Sequence, residues 1–154
     1  MLINLIKVLL LSTLPVLELR GAIPLAINYY KLPVVPSYFF AVLGNILPAI
    51  FLLLYLKPFS DLLRKWKIFD IFFVWLFKRT RRHEKRYEKY GALFLLFFVA
   101  IPLPITGVWT GSVAAFLFGI RFWYAFPMMT GGVIIAGIVV TLANLGIINL
   151  INYY

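Results

Sequence analysis

Glu18 and Arg20 sit inside an otherwise apolar stretch, and they are the first residues in this chain that point to chemistry. Each costs roughly 2.5 to 3.5 kcal/mol at the centre of a membrane helix, so ionisable groups in such places mark function by default. Two positions apart, they would leave opposite sides of a regular helix, but in a broken segment both can face one cavity. Pro15 and Pro24 bracket them. Glu18 is then the candidate proton-coupling residue, since a carboxyl group shielded from water can hold and release a proton. Arg20 is the candidate ligand for a phosphate or carboxylate, which its planar fork matches. An ion pair that merely pins the segment is the alternative.

A second stretch with unusual chemistry is Ile101-Pro102-Leu103-Pro104-Ile105-Thr106-Gly107-Val108-Trp109-Thr110-Gly111-Ser112. Pro102, Pro104, Gly107 and Gly111 are helix breakers in a hydrophobic setting, and the two glycines permit close backbone approach. Thr106, Thr110 and Ser112 can offer hydroxyls to a polar ligand, and a helix starting here would aim its N–H groups at an anion. Small residues that let helices pack closely are the plainer explanation. No nucleophile, base and orienting group occur together, and no phosphate-binding glycine loop or metal-ligand spacing is present. Cysteine is absent and His83 is the one histidine. The expectation is therefore a protein that is not an enzyme and takes no cofactor or metal.

The elements that must position these residues follow from composition. Hydrophobic residues make up 64% of the 154 and charged ones 13%, far from the balance of a water-soluble domain. A single all-α integral membrane domain, 1–154, is expected. Its apolar stretches are separated by Lys31, a basic loop and Arg121. Residues 34–56 and 122–150 are plain spans. Residues 2–30 and 91–120 are each interrupted near the middle, by Pro15 and Pro24 and by Pro102 and Pro104. Broken helices at membrane depth are tolerated only where protein or a wet cavity receives the freed backbone, so both are read as re-entrant helical hairpins. Four spanning helices with proline kinks satisfy the charge pattern equally well. The N-terminal run lacks a small-residue cleavage site and is read as retained.

A shift of 90 residues lays Gly21-Ala22-Ile23-Pro24 on Gly111-Ser112-Val113-Ala114 and Tyr30-Lys31 on Ile120-Arg121. The expected plan is two inverted repeats, 1–56 and 91–154, each a hairpin followed by a spanning helix, as in many secondary transporters. They are joined by a loop, 57–90, whose residues 61–77 read as an interfacial amphipathic helix. Eleven of the fifteen Lys and Arg lie between Lys57 and Lys89, which puts that loop on the cytoplasmic side of the membrane. The run from Lys78 to Lys89 is expected to meet anionic lipid head groups rather than nucleic acid. A homodimer would enclose a pathway better than so short a chain alone.

On the motifs Glu18-Leu19-Arg20-Gly21-Ala22-Ile23-Pro24 and Pro102 to Ser112, the sequence resembles the small multidrug export protein family, a compact relative of the DedA and VTT membrane proteins. The resemblance implies two facing re-entrant hairpins and lipid work: flipping of polyprenyl phosphates or phospholipids, coupled to protons. It assigns Glu18 and Arg20 to the first hairpin, and Thr106, Trp109, Thr110 and Ser112 to the polar wall of the second. DedA-like members usually bring an arginine to that second hairpin, whereas here the nearest is Arg121. The expected function is a DedA-like flippase for an anionic lipid head group. The alternatives are an exporter of cationic or amphipathic drugs, and a membrane assembly factor that transports nothing.

Overall fold

The computed structural model describes residues 1–63, 86–103 and 106–153. Every regular element among them is helical. Residues 64–77 of the expected amphipathic helix, the basic residues from Lys78 to Lys85 and Pro104 lie outside the described residues, while residues 61–63 continue a helix from the preceding span.

Helix α1 (Leu2–Thr13) buries Leu5, Val8 and Ser12, spaced as one helical face requires. It stops because Leu14 precedes a proline: crowding by the Pro15 ring disfavours the helical region, and Leu14 is extended at φ −74°, ψ 137°. After a turn the chain resumes as α2 (Glu18–Pro24), which passes directly into one π-helical turn, Leu25–Tyr29. Pro24 does not break this segment as expected. Lacking an N–H, it cannot make the α-type bond to Arg20, and the chain continues in the wider turn, with the Tyr30 N–H on the Leu25 carbonyl at 3.1 Å. Lys31, in the left-handed region at φ 53°, turns the chain into α3 (Val34–Leu63).

The second half repeats this order. Helix α4 (Arg86–Ala100) ends where Ile101 precedes Pro102, and α5 (Val108–Leu117) follows. Gly119 at φ 68° ends α5 with the conformation glycine adopts at least cost, and α6 (Phe122–Tyr153) begins. Gly111 was expected to break the chain but lies inside α5. A side chain there would come within 2.9 Å of Val99 Cγ2, so its role is close packing.

Two helices are long and apolar enough to cross a bilayer, with spans at Val34–Leu56 and Phe122–Ile148 of mean hydropathy 2.3 and 2.2. At 1.5 Å per residue they reach about 34 and 40 Å, against a hydrocarbon core of roughly 30 Å. Only 33% of each hydrophobic window is buried. Phe39, Leu43, Phe51, Leu142 and Ile147 point outward, as lipid allows and water does not. The helix α3 itself runs past the expected end of its span at residue 56 to Leu63. Helix α4 begins before residue 91, since the polar residues next to a span are themselves good helix formers. Helices α1 and α5, of 12 and 10 residues, are about 18 and 15 Å long, each shorter than the hydrocarbon core.

Helices α3 and α6 pack together at the centre, with α1 on α3 and α4 on α6. The short helices also cross between halves, α2 packing on α6 and α5 on α3. Two glycines set the crossings. A β-carbon on Gly44 would overlap the carbonyl of Leu9 in α1, and one on Gly132 would stand 2.7 Å from the carbonyl oxygen of Leu96 in α4. Backbone meets backbone at both points, which is how membrane helices gain contact where the lipid supplies no hydrophobic drive. The Ser12 hydroxyl reinforces the first crossing by donating to the Ala41 carbonyl at 2.6 Å.

Candidate functional site

The two breaks, one after α1 and one after α4, meet inside the protein. Each break leaves backbone groups without helical partners, and each half caps the other. The carboxylate of Glu18 accepts the N–H groups of Trp109 and Val108, the first turn of α5. In return, the Trp109 indole Nε1 donates to the Thr13 carbonyl at the end of α1, at 3.1 Å.

Glu18 reaches this position at a conformational cost. It opens α2 at φ 45°, a left-handed backbone that side chains other than glycine adopt with strain of about 1 to 2 kcal/mol. A turn closed by the Glu18 N–H on the Leu14 carbonyl at 2.9 Å holds it there. Such outliers persist where the surroundings over-determine them, and they cluster at functional sites. Gly107 completes the fit: a β-carbon there would overlap both carboxylate oxygens of Glu18 and lie 2.7 Å from its Cδ. The backbone of Gly107 is extended, at φ 171°, so the requirement is for space alone.

Arg20 lies 3.6 Å from the Glu18 carboxylate and 3.4 Å from the Thr106 hydroxyl. The Glu18 side chain is 9% exposed and that of Arg20 20%, so the acid is the more enclosed of the two. Thr106 pins the second break. Its hydroxyl donates to the Ile101 carbonyl at 2.6 Å and accepts the Leu103 N–H at 3.2 Å, in addition to meeting Arg20. Beside these groups lies a cavity of about 300 Å³, whose wall includes Pro15, Glu18, Arg20, Gly21 and Pro102. Among the described residues no three metal-ligating side chains come together.

Glu18, Arg20, Thr106, Gly107 and Trp109 are thus brought into one place from motifs almost 90 residues apart, with Pro15 and Pro102 at its edge. Thr110 and Ser112 stand differently. The Thr110 hydroxyl turns back to the Gly107 carbonyl at 3.3 Å from an exposed position. Ser112 is fully buried and donates to the Val108 carbonyl at 2.7 Å, on the packed side of α5. Arg121 lies over the Tyr124 ring, 5.3 Å from its centroid.

Sequence reasoning missed a set of amides and hydroxyls, most of them buried, with Asn28 exposed. Asn45 is 1% exposed, and among the described residues its Oδ1 and the buried Thr130 hydroxyl find no partner. Asn28 and Asn144 bond each other across the two halves. The rule that singled out Glu18, a polar group in an apolar stretch, would have found them had it been applied to neutral side chains.

A family model described as "Putative small multi-drug export protein" matches residues 18–139, a span that opens on Glu18 and closes within α6. No curated protein and no solved structure matches the chain.

Proposed function

The chain belongs to the small multi-drug export protein family, matched over residues 18–139, and from that premise we propose a membrane transporter that passes an anionic head group through the Arg20 cavity. The observation that carries this reading is the asymmetry of the charged pair. Glu18 is already satisfied by two backbone N–H groups and Arg20. The Arg20 guanidinium, with five donors in a fork, makes long contacts to Glu18 and Thr106 among the described residues and lines the cavity. An arriving phosphate would take both Arg20 and the α5 N–H groups, displacing the Glu18 carboxylate, which leaves carrying a proton. That exchange would couple transport to protons.

Cavity size bears on the cargo. About 300 Å³ is the lower limit for pockets that enclose a drug-sized molecule, whereas a phosphate head group fits while its apolar tail stays in lipid. A polyprenyl phosphate or phospholipid is the cargo of choice, with the basic loop on the cytoplasmic side.

The architecture proposed is two re-entrant hairpins in inverted repeat. Positions 88 to 90 apart behave alike: Glu18 and Val108 open the short helices, Lys31 and Gly119 take left-handed turns, and Gly44 and Gly132 make the crossings. In the second half Gly91 lies against Ile120 and Gly111 against Val99, as two antiparallel arms require. In the first, Lys7 reaches over the Tyr30 ring, 5.9 Å from its centroid.

A second reading, export of cationic amphiphiles bound by Glu18, is favoured by the family description. Reconstitution into proteoliposomes separates the two. Translocation of a fluorescent polyprenyl phosphate, lost in Arg20→Ala and reduced in Glu18→Gln, supports the anion carrier. Movement of a fluorescent lipophilic cation that survives Arg20→Ala refutes it.

A further inference from the structure

Beyond the charged cavity, a reciprocal pair of neutral side chains joins the two halves among the described residues. Asn28 Nδ2 donates to Asn144 Oδ1 at 2.9 Å, and Asn144 Nδ2 donates to Asn28 Oδ1 at 3.4 Å. Asn144 is 7% exposed, on the distal half of α6, and Asn28 comes to it from an exposed position. Asn28 sits in the π-helical turn that continues α2, so Arg20 and Asn28 belong to one continuous helical segment.

Two features make this contact a switch rather than a fixed strut. The first is the turn itself. A π turn holds one residue more than an α turn, and its hydrogen bond reaches further, Tyr30 to Leu25 at 3.1 Å; beyond it the left-handed Lys31 lets the Leu32 N–H cap the segment on the Ala26 carbonyl at 3.0 Å. Passing that extra residue along the helix rotates its neighbours by about 100°, one residue's step of an α-helix. Asn28 would then turn away from Asn144. A contact seated on such a turn can be broken without unfolding either helix. The second is its lack of a counterpart. The positions 88 to 90 residues away are Phe116, Leu117 and Phe118 for Asn28, and Leu54, Tyr55 and Leu56 for Asn144. Apolar surfaces slide past one another, whereas a pair of amides holds one register.

We infer that Asn28 and Asn144 form a latch that holds the two halves closed on one side of the cavity, released when the π turn changes register, so that the otherwise repeated fold rests in one of its two orientations. In its transport consequence this rests on the carrier proposed above; as a conformational contact it does not.

The chain has no cysteine, so the test can be made directly. Asn28→Cys and Asn144→Cys are introduced together in the full-length protein and bridged by a short bis-methanethiosulfonate reagent, which a thiol reductant removes. Hydrogen exchange over residues 25–32 and 140–147 reports the motion, and proteoliposome flux of polyprenyl phosphate reports its consequence. The latch predicts that bridging slows exchange at both segments at least tenfold and stops flux, with both restored by reductant. Unchanged exchange, or full flux through the bridged protein, overturns it. Slowed exchange in a protein that moves no cargo even when unbridged keeps the latch and removes the carrier. If the double variant does not fold, Asn144→Leu serves instead: it removes both hydrogen bonds at similar volume and must speed exchange at 25–32, and no change there overturns the latch.

Discussion

The carboxylate of Glu18 rests on the α-carbon of Gly107, with no room for a single methyl group between them. One residue opens α2 and the other precedes α5, so this contact is where the two breaks touch. It also makes Gly107 as demanding a position as the charged residues.

Gly107→Ala is therefore expected to destabilise the protein by about 1 to 3 kcal/mol, the usual penalty for overpacking. Removing the obstacle in Glu18→Ala/Gly107→Ala should return part of that loss. Thermal unfolding in detergent measures both, and a single variant as stable as the parent would show that the breaks do not meet as described.

Trp109→Phe keeps the ring and removes the indole N–H, leaving the Thr13 carbonyl unpaired at the end of α1. A buried unpaired group costs about 1 to 3 kcal/mol. Faster hydrogen exchange confined to the end of α1, with α3 unaffected, is the expected signature. Uniform loosening of the whole protein would argue against a local cap.

Thr106→Val and Ser112→Ala separate cargo-side hydroxyls from packing ones. Thr106 ties Arg20 to the second break, so flux through Thr106→Val should fall tenfold or more. Among the described residues the Ser112 hydroxyl bonds only its own helix, so its removal should change stability by less than about 0.5 kcal/mol and leave flux alone. The reverse ranking would move the pathway to the other face of α5.

Gly44→Ala and Gly132→Ala each place a methyl group against backbone rather than a yielding side chain. Each is expected to lower stability by more than the about 1 to 3 kcal/mol typical of overpacking. A thermal shift in one and none in the other would show that the two crossings are not equivalent.

Much of the arrangement was legible in the sequence because membrane physics leaves few choices. Spans announce themselves by length and hydropathy, and Pro15 and Pro102 end α1 and α4 by restricting the residues before them. Glu18 and Arg20 were conspicuous for the same energetic reason that makes them functional candidates. What stayed hidden depends on which surfaces face each other. Nothing in the Glu18 motif announces that its carboxylate caps a helix beginning at Val108, or that Glu18 adopts φ 45° to do so. Pro24 was misread as a break because a proline's missing N–H is visible in sequence, while the π turn that absorbs it is set by tertiary packing. Ser112 looked like a ligand because a hydroxyl in an apolar helix does not reveal whether it faces a cavity or its own backbone.

The cap on α5 also amounts to a small sum of charges. An ionised Glu18 and Arg20 cancel, and the first turn of α5 adds about half a positive charge, so the closed site is nearly neutral, as its burial demands. Let the carboxylate take up a proton and the same groups amount to about one and a half positive charges. On the transport reading, one proton thus makes the attraction felt by an arriving phosphate about three times greater, with no helix having moved, and its departure lets the phosphate go.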